Sequence, residues 1–375
     1  MAPEEPQASA AGSLARGVLG FAAIFGALWL LHLPLLRLPY FWDEAGYFVP
    51  AARDILLTGD LIAHTTLSNA HPPLVMLWLA LCWKLTAYTP LVTRTAMLLV
   101  AAFGFTALWR LGRRVASAEV ATAAVVLTAL SPTVFSQSAM AQLDIAAFAL
   151  VLWTLEAHIG GRRWQAIAFA ALAAVAKETT VAVTLTLFGA DLLGHFAYLR
   201  RPAWAAKWCL PRRSLPQCAA YLLAPLPLVA WYAYHFHRTG HVFGNPDYLR
   251  YNVGATLTPL RILLAGLMRL WHASGYMNLF VLTAAALVLL WNARQAGGPR
   301  AAAPGIADNV QLLLGLVVLA QAAEFSVVGG ALLARYMIPA VALVVLLAVN
   351  VLRRYAPRWQ WWITGCAVAF VPRCC

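Results

Sequence analysis

Long apolar stretches recur along the whole 375-residue chain and constrain its fold more than any other feature. A transmembrane helix needs about 20 mostly apolar residues, and about eleven stretches approach that length. They lie near 14–36, 92–111, 118–137, 144–160, 164–177, 178–199, 216–235, 276–292, 310–330, 332–352 and 359–371. Only 11% of the residues are charged, against about 25% in soluble globular domains, so a soluble globule of this composition could not cover its surface. The sequence therefore predicts an all-α, polytopic integral membrane protein with about eleven transmembrane helices.

The basic residues predict how these helices are oriented. The stretch 72–88 is apolar, but it is short, begins with two prolines and contains Lys84. If it crossed the membrane, the arginine clusters at 110–114, 162–163 and 200–201 would lie outside, contrary to the positive-inside rule. We therefore expect 72–88 to be a re-entrant or interfacial helix and the N-terminus to be cytoplasmic. The net charge of +13 is then explained by cytoplasmic loops near anionic lipid, without a nucleic-acid partner.

This orientation divides the chain into three parts. Residues 1–13 form a cytoplasmic tail, 14–200 a transmembrane module with an outer loop at 37–91, and 201–375 a second membrane region with an outer loop at 236–258. The sequence contains no nucleotide-binding fingerprint, no Walker loop and no large soluble domain. A cytoplasmic site for a nucleotide sugar or ATP is therefore not expected.

The same orientation gathers carboxylates at the outer membrane boundary. Asp43 and Glu44 directly follow the first span, and Asp144 stands at the head of a later one. A carboxylate at that depth can act as a general base or a metal ligand, because partial desolvation raises its basicity. Alternatively, Asp43 caps an interfacial helix while Glu44 complements its dipole, and Asp144 caps its own helix.

Cations and a histidine lie at the same boundary. Lys177 and Glu178 join two apolar helices, either as a plain interfacial ion pair or as a cation for a phosphate with an anion that positions it. Arg335, followed by Tyr336, departs from the positive-inside pattern, which favours a specific anion partner over snorkelling. His71 precedes two prolines and could ligate a metal, contact a phosphate or simply lie in a solvated loop.

Carboxylates and cations together beside lipid suit one chemistry in particular. In the transfer of a group from a lipid-borne phosphate, cations hold the leaving phosphate while a carboxylate takes the proton of the acceptor. His71, Asp43 and Asp144 also form a candidate metal set, for which oxygen ligands favour magnesium, calcium or manganese and the imidazole admits zinc.

Five short motifs resemble those of the GT-C glycosyltransferases that use polyprenyl-phosphate sugars. The similarity is to the branch that contains the protein O-mannosyltransferases (glycosyltransferase family 39) and the bacterial lipid A aminoarabinose transferases. The motifs are, in order, Asp43-Glu44 with Tyr47, His-Pro-Pro-Leu at 71–74, Asp144, Lys-Glu-Thr at 177–179 and Arg-Tyr-x-x-Pro at 335–339. Their shared order is more specific than any single motif. The resemblance covers residues 14–200 well and the remainder loosely.

This resemblance implies an inverting hexosyl- or pentosyltransferase with a cavity open to the membrane and the outside. It implies Asp43 as the general base, Glu44 and Asp144 as residues that organise the acceptor or a metal, and Lys177 and Arg335 as ligands of the donor phosphate. Glu178, Tyr336 and Tyr47 belong to the same substrate site.

The composition and the missing domains indicate the membrane, the lipid carrier and the acceptor that we expect for this enzyme. The small, Ala- and Arg-rich chain favours a bacterial inner membrane and undecaprenyl phosphate rather than dolichyl phosphate as the lipid carrier. The sequence lacks the soluble luminal domain of the O-mannosyltransferases, so the acceptor, whether glycan, lipid or protein, is not assigned.

A multi-span transporter or a flippase of lipid-linked glycans is the alternative, since charges within membranes also mark ion and proton paths. A transporter predicts charges near the middle of the bilayer on broken helices, often with internal repeats. A flippase would need Lys177 and Arg335 but not Asp43. The charges here cluster at one boundary and no repeat is visible, which favours the enzyme.

Overall fold

The computed structural model describes residues 10–200, 213–254, 257–295, 305–328 and 330–371. Within these ranges the chain is helical and contains no β-strand, which confirms the all-α class. In chain order the α-helices are α1 (Ala10–Leu31), α2 (Val49–Thr58), α3 (Leu74–Leu85), α4 (Pro90–Val115), α5 (Ala118–Leu130), α6 (Pro132–Ser138), α7 (Leu143–Ile159), α8 (Arg163–Ala176), α9 (Val181–Arg200), α10 (Leu215–Ala219), α11 (Leu226–Thr239), α12 (Pro246–Asn252), α13 (Pro259–Ser274), α14 (Leu279–Gln295), α15 (Asp308–Val327), α16 (Ile338–Tyr355) and α17 (Trp359–Phe370).

Several short helical turns connect these helices and carry site residues. A π-helical turn spans Glu44–Phe48. The 3-10 turns are Leu33–Leu35, Glu178–Thr180, Ala220–Leu223 and Ala334–Met337.

Some of the helices are long and apolar enough to cross a membrane. Four meet both criteria among the described residues: Pro90–Val115, Glu178–Ala197, Asp308–Val327 and Ala334–Tyr355. Two bent pairs, α5 with α6 at 76° and α13 with α14 at 88°, raise the number to six if each pair is one span. The predicted count of eleven spans is therefore not confirmed.

The helix α4 forms the centre of the bundle. Thr89 caps its N-terminus by accepting a hydrogen bond from the backbone N–H of Val92 at 3.3 Å, and Pro90 occupies the first turn, where a missing N–H costs nothing. At 26 residues and 1.5 Å per residue the helix is about 39 Å long, enough to cross a bilayer. A Cβ atom at Gly104 would lie 2.4 Å from the ring of Phe148, so this glycine permits the close packing of α4 on α7.

The predicted interfacial segment 72–88 contains the helix α3. Its 12 residues reach only about 18 Å, too short for the hydrocarbon core of a bilayer. The indole of Trp83 donates to the Thr93 hydroxyl at 2.9 Å, and that of Trp78 donates to the Ala96 carbonyl at 3.1 Å. The helix α3 thus lies against the first turns of α4 instead of forming a full-length span.

Two parts of the chain differ from the predicted pattern. The expected outer loop 236–258 contains α12, and the next helix, α13, was not predicted. The sequence of α13 includes Arg261 and Arg269 on an amphipathic helix, so it shows no long apolar run. The expected span 118–137 is broken at Ser131, where α5 ends and Pro132 begins α6.

Charged residues occupy opposite ends of the bundle. Asp144 lies in the first turn of α7 and Glu156 near its end, which places them about 18 Å apart along the helix. Glu156 is fully buried and accepts hydrogen bonds from Arg162 and from Arg114, the latter at 2.8 Å. Two of the arginine clusters that the positive-inside rule assigns to the cytoplasm, 110–114 and 162–163, therefore gather at the end of α7 opposite Asp144, whereas the cluster at 200–201 lies partly outside the described residues.

Candidate active site

A cavity of about 400 Å³ opens at the Asp144 end of the bundle. It lies where the π-helical turn, the loop before α3, the start of α7 and the turn before α16 meet. Its ionisable and phenolic lining residues are Asp43, Tyr47, His71, Asp144, Lys177, Glu178, Tyr232, Glu324, Arg335 and Tyr336. Of the predicted site residues, all except Glu44 line this cavity, although they come from distant parts of the sequence.

Carboxylates and cations alternate across the cavity. The guanidinium of Arg335 donates to the carboxylate of Asp43, and its Nε lies 3.3 Å from Oδ2 of Asp144. The other oxygen of Asp144, Oδ1, accepts a hydrogen bond from Nζ of Lys177 at 2.6 Å. The order Asp43, Arg335, Asp144, Lys177 forms a continuous chain of opposite charges, called here the charge chain.

The ammonium of Lys177 is also held by two aromatic rings. Its Nζ lies 4.3 Å from the ring centre of Tyr336 and 4.9 Å from that of Phe325, and these rings stack at 5.0 Å. Cation–π contacts of this kind stabilise a desolvated ammonium. The guanidinium of Arg269 lies 5.2 Å from the Tyr336 ring and donates to the carbonyls of Ala331 and Leu333 at 2.7 and 2.8 Å. Arg269 thereby fixes the segment that leads to Arg335.

Asp43 directly precedes the π-helical turn, yet its side chain makes no capping hydrogen bond. The carboxylate points instead to Arg335. Its side chain is 37% exposed, whereas that of Asp144 is 6% exposed and has two cationic partners. Asp43 is therefore the more accessible of the two carboxylates in the charge chain.

Glu44 lies outside the cavity, unlike its neighbour. It is fully buried and is paired with Arg94, whose Nη2 donates to Oε2 at 2.9 Å. It also accepts hydrogen bonds from the backbone N–H of Ala141 at 2.6 Å and of Phe41 at 3.2 Å. The predicted assignment of Glu44 to the acceptor or a metal needs correction, because these contacts turn the side chain to the protein interior. Glu44 fastens the Asp43 segment to α4 and to the segment before α7.

His71 lies in a loop that contacts several outer segments. Its Nδ1 is 3.1 Å from the carboxylate of Glu178. The indole of Trp231 donates to the Ala70 carbonyl at 2.9 Å, and the Ser68 hydroxyl is hydrogen-bonded to Nε2 of His235 at 2.7 Å. The loop is thus held by α11 on one side and by the turn containing Glu178 on the other.

The predicted metal set does not come together as one site. No group of three or more His, Cys, Asp or Glu side chains among the described residues is arranged to hold a metal ion. Asp43 and Asp144 are engaged by Arg335 and Lys177, and His71 by Glu178. Because the candidate donors are paired with cations or with each other, this arrangement does not fit a metal ion.

Tyr47 contributes a hydroxyl to the cavity. Burial raises the pKa of Tyr47 to about 12, although a hydrogen bond with Ser68 lowers it. The phenol therefore stays protonated at neutral pH and can donate a hydrogen bond to a bound substrate.

Three residues around the site were not among the predicted site residues. Arg94 is a lone cation in the apolar stretch of α4, Arg269 lies on the unpredicted helix α13, and Glu324 lies in the last two turns of α15. An ionisable residue inside an apolar helix was the available signal for Arg94 and Glu324. The partner of Arg94 could not be read from the sequence, because Arg94 and Glu44 are 50 positions apart.

Comparison with known proteins finds structures of similar fold but no related sequence family. No protein-family model and no curated protein matches the chain. The structure is similar to that of ArnT from Cupriavidus metallidurans bound to undecaprenyl phosphate, with a TM-score of 0.63 and 18% identity over 96% of this chain and 64% of ArnT. It is likewise similar to ArnT from Cupriavidus metallidurans in the apo state, with a TM-score of 0.63 and 18% identity over 93% of this chain and 62% of ArnT.

The chain spans somewhat less than two thirds of the length of ArnT. The match nevertheless includes almost all of the present chain. The chain therefore has the fold of ArnT, the type of fold that the resemblance of the sequence motifs implies.

Proposed function

We propose that this protein is a membrane glycosyltransferase that moves a sugar from an undecaprenyl-phosphate donor to an acceptor. The observation that carries the proposal is the charge chain Asp43, Arg335, Asp144, Lys177 in a cavity of a fold shared with a structure of ArnT bound to undecaprenyl phosphate. Two cations held near an accessible carboxylate provide what a phosphate leaving group and a nucleophile require.

The donor phosphate binds between Arg335 and Lys177. A planar guanidinium can donate two parallel hydrogen bonds to two oxygens of a phosphate, and an ammonium adds a point charge. When Arg335 turns to the phosphate, it releases Asp43, which is then free to accept a proton. Asp144 retains Lys177 and orients it, because it is the more buried carboxylate of the two.

The transfer is a single displacement at the anomeric carbon of the sugar. The acceptor oxygen attacks this carbon from the side opposite the phosphate, and its proton passes to Asp43. The bond from the anomeric carbon to the phosphate oxygen breaks, and the electron pair leaves with undecaprenyl phosphate, whose charge Arg335 and Lys177 stabilise. One displacement inverts the configuration at the anomeric carbon.

The positive-inside rule orients the reaction. The arginine clusters lie at the end of α7 opposite the cavity, so the cytoplasmic assignment of those clusters puts the cavity at the outer face of a bacterial inner membrane. The acceptor is then a molecule of the cell envelope that reaches this face.

Transfer of radiolabelled sugar tests the proposal directly. Purified protein in proteoliposomes receives a panel of undecaprenyl-phosphate sugars, with an envelope extract as the source of acceptor. Asp43→Asn should keep donor binding and lower transfer about 10²- to 10⁴-fold, the range for loss of a general base. Arg335→Ala should weaken donor binding itself.

Glu119→Gln is the matched control, because Glu119 is exposed and pairs with Arg353 away from the cavity. Full transfer by Asp43→Asn would contradict the general-base role. Donor that moves between leaflets without any sugar transfer would instead support the flippase alternative.

A further inference from the structure

Glu324 differs from the other carboxylates of the cavity, because one of its oxygens has no hydrogen-bond partner among the described residues. Asp43 and Asp144 are paired with Arg335 and Lys177, and Glu178 with His71. Glu324 also lines the cavity, but its Oε2 is buried without a hydrogen-bond partner among the described residues. A buried carboxylate oxygen without a donor is unfavourable, and a ligand hydroxyl in the cavity would supply the missing donor.

The position of Glu324 limits which ligand group it meets. The next residue, Phe325, lies 4.9 Å from Nζ of Lys177, measured to its ring centre. Glu324 therefore belongs to the Lys177 end of the charge chain, whereas Asp43 stands at the other end. The acceptor oxygen must approach Asp43, which leaves the Lys177 end to the donor.

The chemistry of the donor then identifies the group. An ionised carboxyl group repels a phosphate, and the polyprenyl chain has no hydrogen-bond donor. The sugar ring is bonded directly to the phosphate and carries hydroxyl groups. From this geometry we propose that Glu324 is a specificity-determining residue that accepts a hydrogen bond from a ring hydroxyl of the transferred sugar. This inference rests on the proposed function.

Sugar-free and deoxygenated ligands test the inference. The first probe is undecaprenyl phosphate alone, which Glu324→Gln should bind as tightly as the wild type does. The second is the set of monodeoxy analogues of whichever panel sugar the wild type transfers. Loss of the hydrogen bond between the sugar hydroxyl and Glu324 should lower kcat/KM about 10- to 100-fold. The loss should appear in Glu324→Gln with the intact donor, and in the wild type with the analogue that lacks one particular hydroxyl.

The two changes together give the decisive result. In Glu324→Gln, loss of that same hydroxyl should cause a smaller decrease in kcat/KM than it causes in the wild type, because an amide oxygen accepts a weaker hydrogen bond than a carboxylate oxygen does. Glu324→Asp, which keeps the carboxyl group but shortens the side chain, should show an intermediate loss. Glu119→Gln serves again as the control, with unchanged binding and transfer.

Three outcomes would overturn the inference. In the first, the losses of kcat/KM caused by Glu324→Gln and by each deoxy sugar simply add. In the second, Glu324→Gln is fully active with the intact donor. In the third, Glu324→Gln binds undecaprenyl phosphate alone more weakly than the wild type does. The failure of the proposed function looks different: the wild type would then transfer none of the sugars. Sugar transfer that is insensitive to Glu324 would remove this inference and leave the proposed function intact.

Discussion

Asp43 and Glu44 are adjacent in the chain, yet their side chains lie in different surroundings. Asp43 faces the cavity and is 37% exposed, whereas Glu44 is fully buried against Arg94. The sequence indicated that this pair belongs to the site, but the separation of roles depends on the π-helical turn and on an arginine 50 positions away. Local residue patterns therefore located the site, and only the tertiary contacts separate the residue that faces the cavity from the one that holds it in place.

Glu44→Gln should destabilise the protein without changing any cavity residue. The change leaves the guanidinium of Arg94, which is only 5% exposed, without its counter-ion. Loss of one partner of a buried ion pair costs about 3–5 kcal/mol. Chemical unfolding in mixed micelles should show this loss, while Asp43→Asn, at a partly exposed carboxylate, should unfold nearly as the wild type does. Equal stability of the two variants would contradict the structural role of Glu44.

The loop that carries His71 is shaped by a close contact with the segment after α11. Gly244 has a φ of +77°, and a Cβ atom there would lie 2.5 Å from the carbonyl carbon of Asn69. The backbone N–H of Asn245 also donates to the Ser68 carbonyl at 2.9 Å. The sequence placed residues 236–258 in an outer loop, but it could not show that this segment supports the loop before α3.

Gly244→Ala should therefore affect substrate binding more than the chemical step. The methyl group must push the backbone at Asn69 aside, which shifts His71 and raises KM for the donor with a smaller change in kcat. Gly240→Ala is the matched control, since Gly240 has a φ of +76° but open space around its Cβ position. Both variants place a residue with a side chain in a left-handed backbone conformation, which costs about 1–2 kcal/mol in each. An equal KM for the donor in both variants would therefore show that the contact with Asn69 is unimportant.

The loop after α2 contains an acidic group that gives its stability a defined pH dependence. The backbone N–H of Ile62 and the guanidinium of Arg238, which lies 2.6 Å from the carboxylate, lower the pKa of Asp60 from 3.8 to about 2. A lowered pKa in the folded state means that the ionised form stabilises the loop above the ordinary pKa and that this contribution is lost as the pH falls through 2.

The corresponding variant is Asp60→Asn. Hydrogen exchange of the backbone amides at 59–66 should be faster in this variant than in the wild type near pH 5, because the ion pair with Arg238 is missing. The difference, corrected for intrinsic exchange rates, should shrink as the pH approaches 2. A difference that is constant across this range would exclude ionisation of Asp60 as its cause.

Across the whole molecule, the sequence predicted the separation of charges better than it predicted the helices. The arginine clusters at 110–114 and 162–163 lie at one end of α7 and the site residues at the other, so the two sets that the sequence assigned to different faces are separated in the structure. The helix α13 was missed because its apolar residues are interrupted by arginines, and the single span expected at 118–137 is bent by 76°. Contacts such as that between Asp43 and Arg335, 292 positions apart, follow from packing that no local pattern encodes.

The orientation of the molecule supplies the last prediction. Leu67 is 75% exposed in the outer loop near His71, and Ala118 is exposed beside the arginine cluster at the end of α4. In a variant without native cysteines, Leu67→Cys should react with a membrane-impermeant maleimide in intact spheroplasts, whereas Ala118→Cys should react only after permeabilisation. The opposite pattern would place the cavity in the cytoplasm. The sugar would then be transferred on the cytoplasmic side, with the arginine clusters outside, and the periplasmic acceptor would have to be abandoned while the chemistry of the charge chain stayed the same.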